Sequence, residues 1–117
     1  MPRLVVHEHS REGGVHYDLM LESPGLLWTW RFAELPGSES EQLCERIQDH
    51  DRKFLEYEGA LSPGNGSVRI IDSGSFDLLA AGEDEVHFTA RGQRLTGACR
   101  LMRRGENAWA LQCDPVA

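Results

Sequence analysis

Long hydrophobic runs are missing from this sequence. No apolar stretch in its 117 residues approaches the roughly 18 to 20 residues that span a bilayer. The N-terminus, MPRLVVHEH, also lacks the apolar segment of a signal peptide. We therefore expect a cytoplasmic protein with no membrane partner.

Cysteine is scarce, and its spacing is uninformative. Cys44, Cys99 and Cys113 are odd in number and form no CxxC pair. This pattern argues against a zinc knuckle and against a disulfide scaffold, and it suits a reducing compartment.

Positive charge is in short supply as well. The 12 lysines and arginines are outnumbered by 19 aspartates and glutamates, which gives a formal net charge of -7. Such a balance provides no general attraction to phosphate backbones. Any contact with nucleic acid must therefore come from a local patch.

The chain does contain many short segments with β-type patterns separated by turns. Its length favours a single domain over residues 1–117, and about eight such segments predict a mainly β fold with one short helix, in the form of a small antiparallel barrel or a sandwich. The helix is predicted over SESEQLCERIQDH, residues 38–50, with Ser38 or Ser40 as its N-cap. KFLEYEG, residues 53–59, is predicted to be a strand.

Three histidines and an aspartate lie within HEHSREGGVHYD, residues 7–18. On a strand, His7 and His9 share a face, and His16 and Asp18 share a face of the next strand. The opposite face of that second strand would be the core-facing one, with Tyr17, Leu19 and Leu21. If the two strands pair as a hairpin, His9 approaches His16 and Asp18.

Two imidazoles and one carboxylate are the ligands of an open divalent-metal site, suited to Mn²⁺, Fe²⁺ or Zn²⁺. The alternative is a polar strand face that carries histidines on its surface.

Several motifs taken together resemble the 3′-phosphoesterase domain of bacterial and archaeal DNA ligase D. They are VVHEH, HYDLMLE, a tryptophan-bearing strand, QDHDRKFLEYEG, GNGSVRIIDSGSFDL and LTGACRLMRRGENAWAL, and they cover nearly the whole chain. The resemblance implies a compact fold, a small closed antiparallel β-barrel of about eight strands, with a manganese ion in its crater. Zn²⁺ or another divalent metal is the alternative.

The resemblance also implies roles for individual residues. His9, His16 and Asp18 would hold the metal. His50 would contact the phosphate and either stabilise charge in the transition state or protonate the leaving oxygen. His7 stands where the family usually shows glutamine, close to the scissile phosphate. The implied activity is the trimming of DNA or RNA 3′ ends, in which a terminal ribonucleoside and then the 3′-phosphate are removed.

The chain departs from the family pattern at two usually basic positions, Met20 and Glu34. A phosphate-binding arginine is thus missing from its expected place. Of five candidate replacements, we assign substrate binding to three and leave two others open; the three are Arg52, Arg46 and Arg11, and the others are Arg31 and Lys53.

Two further motifs have simpler interpretations than nucleic-acid binding. Trp28 and Trp30 are predicted to pack in the core rather than to stack on bases, and GNG at 64–66 is predicted to be a hairpin turn rather than a phosphate loop. His87 is predicted to be structural.

The first functional hypothesis is therefore a metal-dependent 3′-end-processing phosphoesterase acting in repair. The chain is too short for ligase or polymerase modules, so we expect such partners to be separate proteins and this chain to be a free-standing, monomeric homologue. The alternatives are a degenerate, non-catalytic module that binds nucleic acid or a partner protein, and a metalloenzyme with a small phosphorylated substrate.

Overall fold

A computed structural model describes residues 1–37 and 40–114, and its strands form one antiparallel sheet. The nine strands are β1 (Arg3–Arg11), β2 (Gly14–Glu22), β3 (Leu27–Phe32), β4 (Gln42–His50), β5 (Gly59–Ala60), β6 (Ser67–Ala81), β7 (Glu85–Arg91), β8 (Thr96–Arg103) and β9 (Ala108–Asp114).

Eight of these strands form a ring. Neighbours follow the order β1-β2-β3-β4-β9-β8-β7-β6, and β1 also pairs with β6. The short β5 pairs with the start of β6. The predicted mainly β class is confirmed. Across residues 1–37 and 40–114, no helix has the length and apolar character needed to cross a membrane.

The helix predicted over residues 38–50 is wrong. Residues Gln42–His50 form β4, which pairs with β3 on one side and with β9 on the other. Cys44 packs against the core, whereas Leu43 is 74% exposed, so neighbouring side chains alternate between two faces. Pairing with both neighbours completes the ring and outweighs the local capping signal. Ser38, one of the two predicted caps, lies outside the described residues.

The strand predicted over residues 53–59 is also wrong for its first half. Arg52–Leu55 forms a single turn of 3₁₀ helix, and the carboxylate of Asp51 accepts a hydrogen bond from the backbone N–H of Lys53 at 2.9 Å. This turn packs against the outside of the ring.

The inside of the ring is the main hydrophobic core. Trp30 is fully buried and meets Trp109 edge to face, with 5.7 Å between ring centroids, and Trp28 packs against the same cluster. The predicted core role of the two tryptophans is confirmed. Strands on all sides contribute to this core, with large members Leu4, Phe32, Phe76, Phe88, Leu101 and Leu111.

A second, smaller cluster lies on the outer face of β1, β2 and β3. Val5, Met20 and Leu27 alternate with residues of the main core and are covered by Leu55 of the 3₁₀ turn. Phe54 packs against the edge of this cluster. Part of the outer face is therefore shielded from solvent, and the polar residues of β1 and β2 lie beside it.

The cysteines differ from the sequence-based expectation. Cys99 and Cys113 face each other across β8 and β9 and form a disulfide inside the ring, while Cys44 is a free thiol. No CxxC spacing is needed, because the register of two neighbouring strands brings residues 14 positions apart together. Burial raises the pKa of the Cys44 thiol to about 12, so this side chain is a protonated thiol at neutral pH.

Candidate metal centre

The β1–β2 hairpin places the predicted donor residues opposite each other. Its register pairs His9 with His16, and His7 with Asp18. Gly13 and Gly14, both with positive φ, allow the tight turn between the strands. The predicted hairpin pairing is confirmed.

Three donor groups converge on one point. The Nδ1 atom of His9 lies 2.7 Å from Nε2 of His16, and this Nε2 lies 4.0 Å from Oδ2 of Asp18. One nitrogen or oxygen atom from each residue lies within 4.8 Å of the other two. The arrangement fits a single divalent cation with positions left for water or substrate. Because Leu19 faces the core, this cluster lies on the outer face of the ring wall, not in an interior crater.

A backbone carbonyl determines which nitrogen of His9 is available. Nε2 of His9 lies 2.7 Å from the carbonyl oxygen of Asn65, in the turn between β5 and β6. A carbonyl only accepts, so Nε2 carries the hydrogen and Nδ1 of the neutral ring keeps its lone pair. An outer-shell hydrogen bond of this kind orients a metal-ligating histidine. The sequence indicated only a turn here, with no signal for this contact.

Asp18 is held by an arginine from the next strand. Its side chain is 3% exposed, and Arg31 donates to it from Nε at 3.0 Å and from Nη2 at 3.3 Å. Asp18 and Arg31 are direct partners in the β2–β3 register. The guanidinium of Arg31 therefore balances the charge of the buried carboxylate and fixes its orientation.

His16 has the protonation state that a ligand requires. The pKa of His16 is lowered to about 4: burial is the largest cause, the positive charges of Arg31 and Arg11 and the neighbouring His9 act in the same direction, and Asp18 acts in the opposite one. The ring is therefore neutral at pH 7 and able to bind a metal.

His7 is fully buried beside this cluster. Neither of its ring nitrogens forms a hydrogen bond within residues 1–37 and 40–114. Burial lowers the pKa of His7, and His50 lowers it as well; the backbone of Phe54 and the carboxylates of Asp18 and Glu58 act in the opposite direction. A buried polar ring without a partner is costly and calls for a functional explanation.

His50 lies at the end of β4 on the same outer face, opposite Leu27 of the smaller cluster. Its Nδ1 pairs with the carbonyl oxygen of Gln48 at 2.9 Å. Phe54 contacts both histidines in edge-to-face geometry, with its ring centroid 5.7 Å from that of His50 and 6.1 Å from that of His7. One phenyl ring thus lies between the two predicted catalytic histidines.

The three predicted substrate-binding arginines do not converge. Arg52 is paired with Glu22, and the guanidinium of Arg46 lies 4.5 Å from the ring centroid of Trp30, on the core-facing side of the sheet. Arg11 is exposed at the hairpin end, where it lines a cavity of about 230 Å³ together with His16. Of the three, only Arg11 lines a cavity with a member of the metal cluster.

Comparison with known sequences identifies the family. The model of the DNA Ligase D 3′-phosphoesterase domain matches residues 6–103. The chain belongs to the DNA ligase D 3′-phosphoesterase family. The resemblance seen in the sequence motifs is confirmed, and the matched region contains the whole His9, His16 and Asp18 cluster.

Relatives of this 3′-phosphoesterase-family chain are much longer proteins. It is 32% identical over 114 residues to the multifunctional non-homologous end joining DNA repair protein LigD of Mycobacterium tuberculosis, covering 90% of the chain and 15% of that protein. The corresponding LigD of Pseudomonas aeruginosa is 29% identical over 107 residues, with 83% of the chain and 12% of the relative covered. The chain therefore spans about a seventh of the length of these relatives.

Proposed function

We propose that this chain is a metal-dependent phosphoesterase that processes 3′ ends of DNA or RNA during repair. The observation that carries the proposal is the convergence of His9, His16 and Asp18 within 4.8 Å, in a chain of the 3′-phosphoesterase family. Membership of the family supports the proposed activity on 3′ ends, and the three side chains support the proposed binding of a divalent metal.

His9 through Nδ1, His16 through Nε2 and Asp18 through Oδ2 would hold the metal, which we propose to be Mn²⁺, with Zn²⁺ or another divalent ion as the alternative. A bound divalent cation supplies a Lewis acid for a phosphoryl oxygen and lowers the pKa of a bound water. The protein's own contribution is to present neutral imidazoles and a fixed carboxylate. The Asn65 carbonyl and Arg31 maintain that geometry.

His50 and His7 are proposed to act on the phosphate. The bond from Nδ1 of His50 to the Gln48 carbonyl leaves Nε2 as the nitrogen that meets a substrate. In the doubly protonated ring, Nε2 would stabilise developing charge or protonate the leaving oxygen. His7 is proposed to lie close to the scissile phosphate; because its ring is fully buried, contact with the phosphate would require the side chains that cover it to move. A substrate oxygen there would satisfy one of its unbonded nitrogens.

The proposed substrates are the 3′ ends of nucleic acids, and the proposed partners are separate ligase or polymerase proteins. Arg11 is the best placed of the three predicted substrate-binding arginines, because it lines the same cavity as His16. Arg52 and Arg46 would first have to leave Glu22 and Trp30.

A cleavage assay with a matched control tests the proposal. A primer–template that ends in one ribonucleotide or in a 3′-phosphate is incubated with Mn²⁺ and the wild type, His16→Ala or His87→Ala. We expect the wild type and His87→Ala to release the 3′ group and His16→Ala to release none. His87 is a suitable control because it lies on β7, which is not adjacent to β1 or β2 in the ring. No release by wild type with Mn²⁺ bound would rule out end processing.

A non-catalytic module that binds nucleic-acid ends is a second candidate. The observation that favours it is that Arg31 contacts both oxygens of Asp18, the same carboxylate that would bind the metal. A Mn²⁺ titration followed by electron paramagnetic resonance separates the two. Binding of 3′ ends without any uptake of Mn²⁺ would favour the module, whereas stoichiometric Mn²⁺ uptake that is lost in His16→Ala favours the enzyme.

A further inference from the structure

Arg31 occupies the middle of a row of side chains that crosses four strands. The registers of the sheet pair His7 with Asp18, Asp18 with Arg31, and Arg31 with Glu45. Cross-strand partners share a face of the sheet, so the whole row lies on the outer face together with the metal cluster. Arg31 is the cation of this row.

Two surface cavities meet at Arg31. One, of about 570 Å³, is lined by Arg31 and His50, and the other, of about 420 Å³, is lined by Arg31 and His16. Arg31 therefore lies between the predicted catalytic histidine and one of the predicted metal ligands. A phosphate group bound in either cavity would therefore lie near Arg31.

The guanidinium has donors to spare for such a phosphate. Arg31 uses Nε and Nη2 to contact Asp18, which engages one edge of the planar group, and its side chain is 31% exposed. An arginine carries five N–H donors, and the edge formed by Nη1 and Nη2 matches two phosphate oxygens. Asp18 thus holds the group in place without using its phosphate-binding edge.

Other positions near the cluster are less able to supply a cation. Met20, two residues after Asp18 on the same face, is fully buried beneath Leu27 and Leu55. Arg46 pairs in register with Trp30 and so lies on the core-facing side. Glu45 lines both cavities and opposes an approaching anion. Arg46 also lines the larger cavity, but its guanidinium lies over Trp30 and pairs with Asp49, so Arg31 is the arginine that lines both cavities.

We propose that Arg31 is the residue of this site that binds the terminal phosphate monoester of a nucleic-acid 3′ end, held by Asp18 so that one edge faces the substrate. The inference rests on the proposed function and adds a substrate-binding residue, with its ligand class, on β3. In this arrangement the carboxylate of Asp18 would bind the metal and the guanidinium of Arg31 at the same time.

A binding experiment without turnover tests this role. The ligand is a fluorescein-labelled oligonucleotide that ends in a 3′-methylenephosphonate, whose P–C bond is not hydrolysed, and the reference is the same oligonucleotide with a 3′-hydroxyl. Fluorescence anisotropy with Mn²⁺ present gives the preference for the phosphonate end. The proteins are the wild type, Arg31→Gln, Arg31→Lys and Arg91→Gln, in which an exposed arginine loses its pairing with Asp77.

We expect Arg31→Gln to lose a preference on the order of 10-fold to 100-fold, because a charge-assisted pair of hydrogen bonds is removed. Arg31→Lys should keep part of it, since an ammonium pairs with phosphate as a point charge only. Arg91→Gln should match the wild type. Binding of the 3′-hydroxyl reference should be the same in all four proteins.

Three results would overturn the role of Arg31, and they differ in what they say about the enzyme. A preference that survives in Arg31→Gln overturns the inference alone. A wild type that binds Mn²⁺ but shows no preference overturns both the inference and the 3′-phosphate end as a substrate, whereas the cleavage assay decides separately whether 3′ ends are processed. Thermal unfolding checks that both Arg31 variants are folded, and paramagnetic resonance measures their Mn²⁺ binding. If both folded variants lose Mn²⁺ as well as the preference for the phosphonate end, Arg31 serves only to hold Asp18.

Discussion

At the scale of single residues, His7 combines complete burial with two unbonded ring nitrogens. Its pKa in the folded protein is lowered below 6.5, mainly by burial. Above pH 6.5 the ring is neutral in both folded and unfolded chains. As the pH falls below 6.5, the unfolded chain takes up a proton that the folded chain does not, so the free energy of unfolding decreases.

We therefore expect the metal-free protein to lose stability as the pH falls from about 6.5 to the lowered pKa, and His7→Gln to lose less. The contribution of this one group has a maximum slope of about 1.4 kcal/mol per pH unit. Urea unfolding in the presence of a chelator, repeated at several pH values, measures both proteins. The difference in free energy of unfolding well above pH 6.5 gives the pH-independent cost of the substitution. If the free energy of unfolding depends on pH equally in the two proteins, His7 is not the group responsible.

Residue-scale prediction from the sequence succeeded where a single strand decides the outcome. Period-two alternation placed His16 and Asp18 on one face and Leu19 on the other, as found. It could not select Arg31 among five basic candidates. That choice depends on the β2–β3 register, which is a contact between strands rather than a property of one.

At the scale of elements, the turn before β6 supports the metal centre from outside. Asn65 supplies the carbonyl that orients His9, and Gly66 packs directly on β1. A Cβ atom added to Gly66 would lie 2.0 Å from the backbone oxygen of Ser10, far inside van der Waals contact. The close approach of this turn therefore requires glycine.

We expect Gly66→Ala to displace the turn, break the His9–Asn65 hydrogen bond and weaken Mn²⁺ binding by about 10-fold to 100-fold, the usual cost of losing an outer-shell partner. Paramagnetic resonance measures the affinity. In the metal-free protein, ¹⁵N chemical shifts of the His9 ring should show a hydrogen on Nε2 in the wild type and a mixture of tautomers in the variant.

Gly64→Ala is the matched control for that substitution. Gly64 lies in the same turn and also has a positive φ of 87°, but no atom lies within 4 Å of its added Cβ. It carries a similar backbone strain of roughly 1–2 kcal/mol without the clash. If Gly64→Ala weakens Mn²⁺ binding as much as Gly66→Ala does, general loosening of the turn and not the Asn65 carbonyl is responsible.

Element type was predictable where alternation was clear and failed where local signals conflicted with pairing. In residues 42–50, the serine and acidic residues before Leu43 indicated a helix start, yet the segment is β4. The reason is non-local, because without β4 the edges of β3 and β9 would remain unpaired. The Asn65 contact was out of reach for the same reason, since it depends on the pairing of β1 with β6.

At the scale of the whole molecule, the mainly β class followed from the number and spacing of short apolar segments. The same pattern left a barrel and a sandwich open; closure into a ring was implied by the family resemblance, and the β1–β6 pairing that closes the ring joins residues 57 to 72 positions apart. The outer location of the site follows from that closure. The interior is filled by side chains such as Trp30 and Trp109, which leaves the wall's outer face for chemistry.

Whole-molecule charge leads to a prediction about salt. The net charge is -7, and the cations proposed to meet the substrate are Arg31 and Arg11. Each neutralised phosphate of a single strand contributes about -0.7 to the slope of log K against log salt concentration, so two contacts give about -1.4. Anisotropy titrations of the labelled phosphonate oligonucleotide over a range of potassium chloride concentrations measure this slope.

A shallow slope would mean that the protein recognises an end rather than a length of backbone. The measured value should then stay the same when the oligonucleotide is lengthened, because added phosphates meet an acidic surface. A slope steeper than roughly -4 would require about six neutralised phosphates. Such a value would contradict recognition by a few local cations and would indicate an extended basic groove. The composition argues against such a groove, because 19 acidic residues outnumber 12 basic ones.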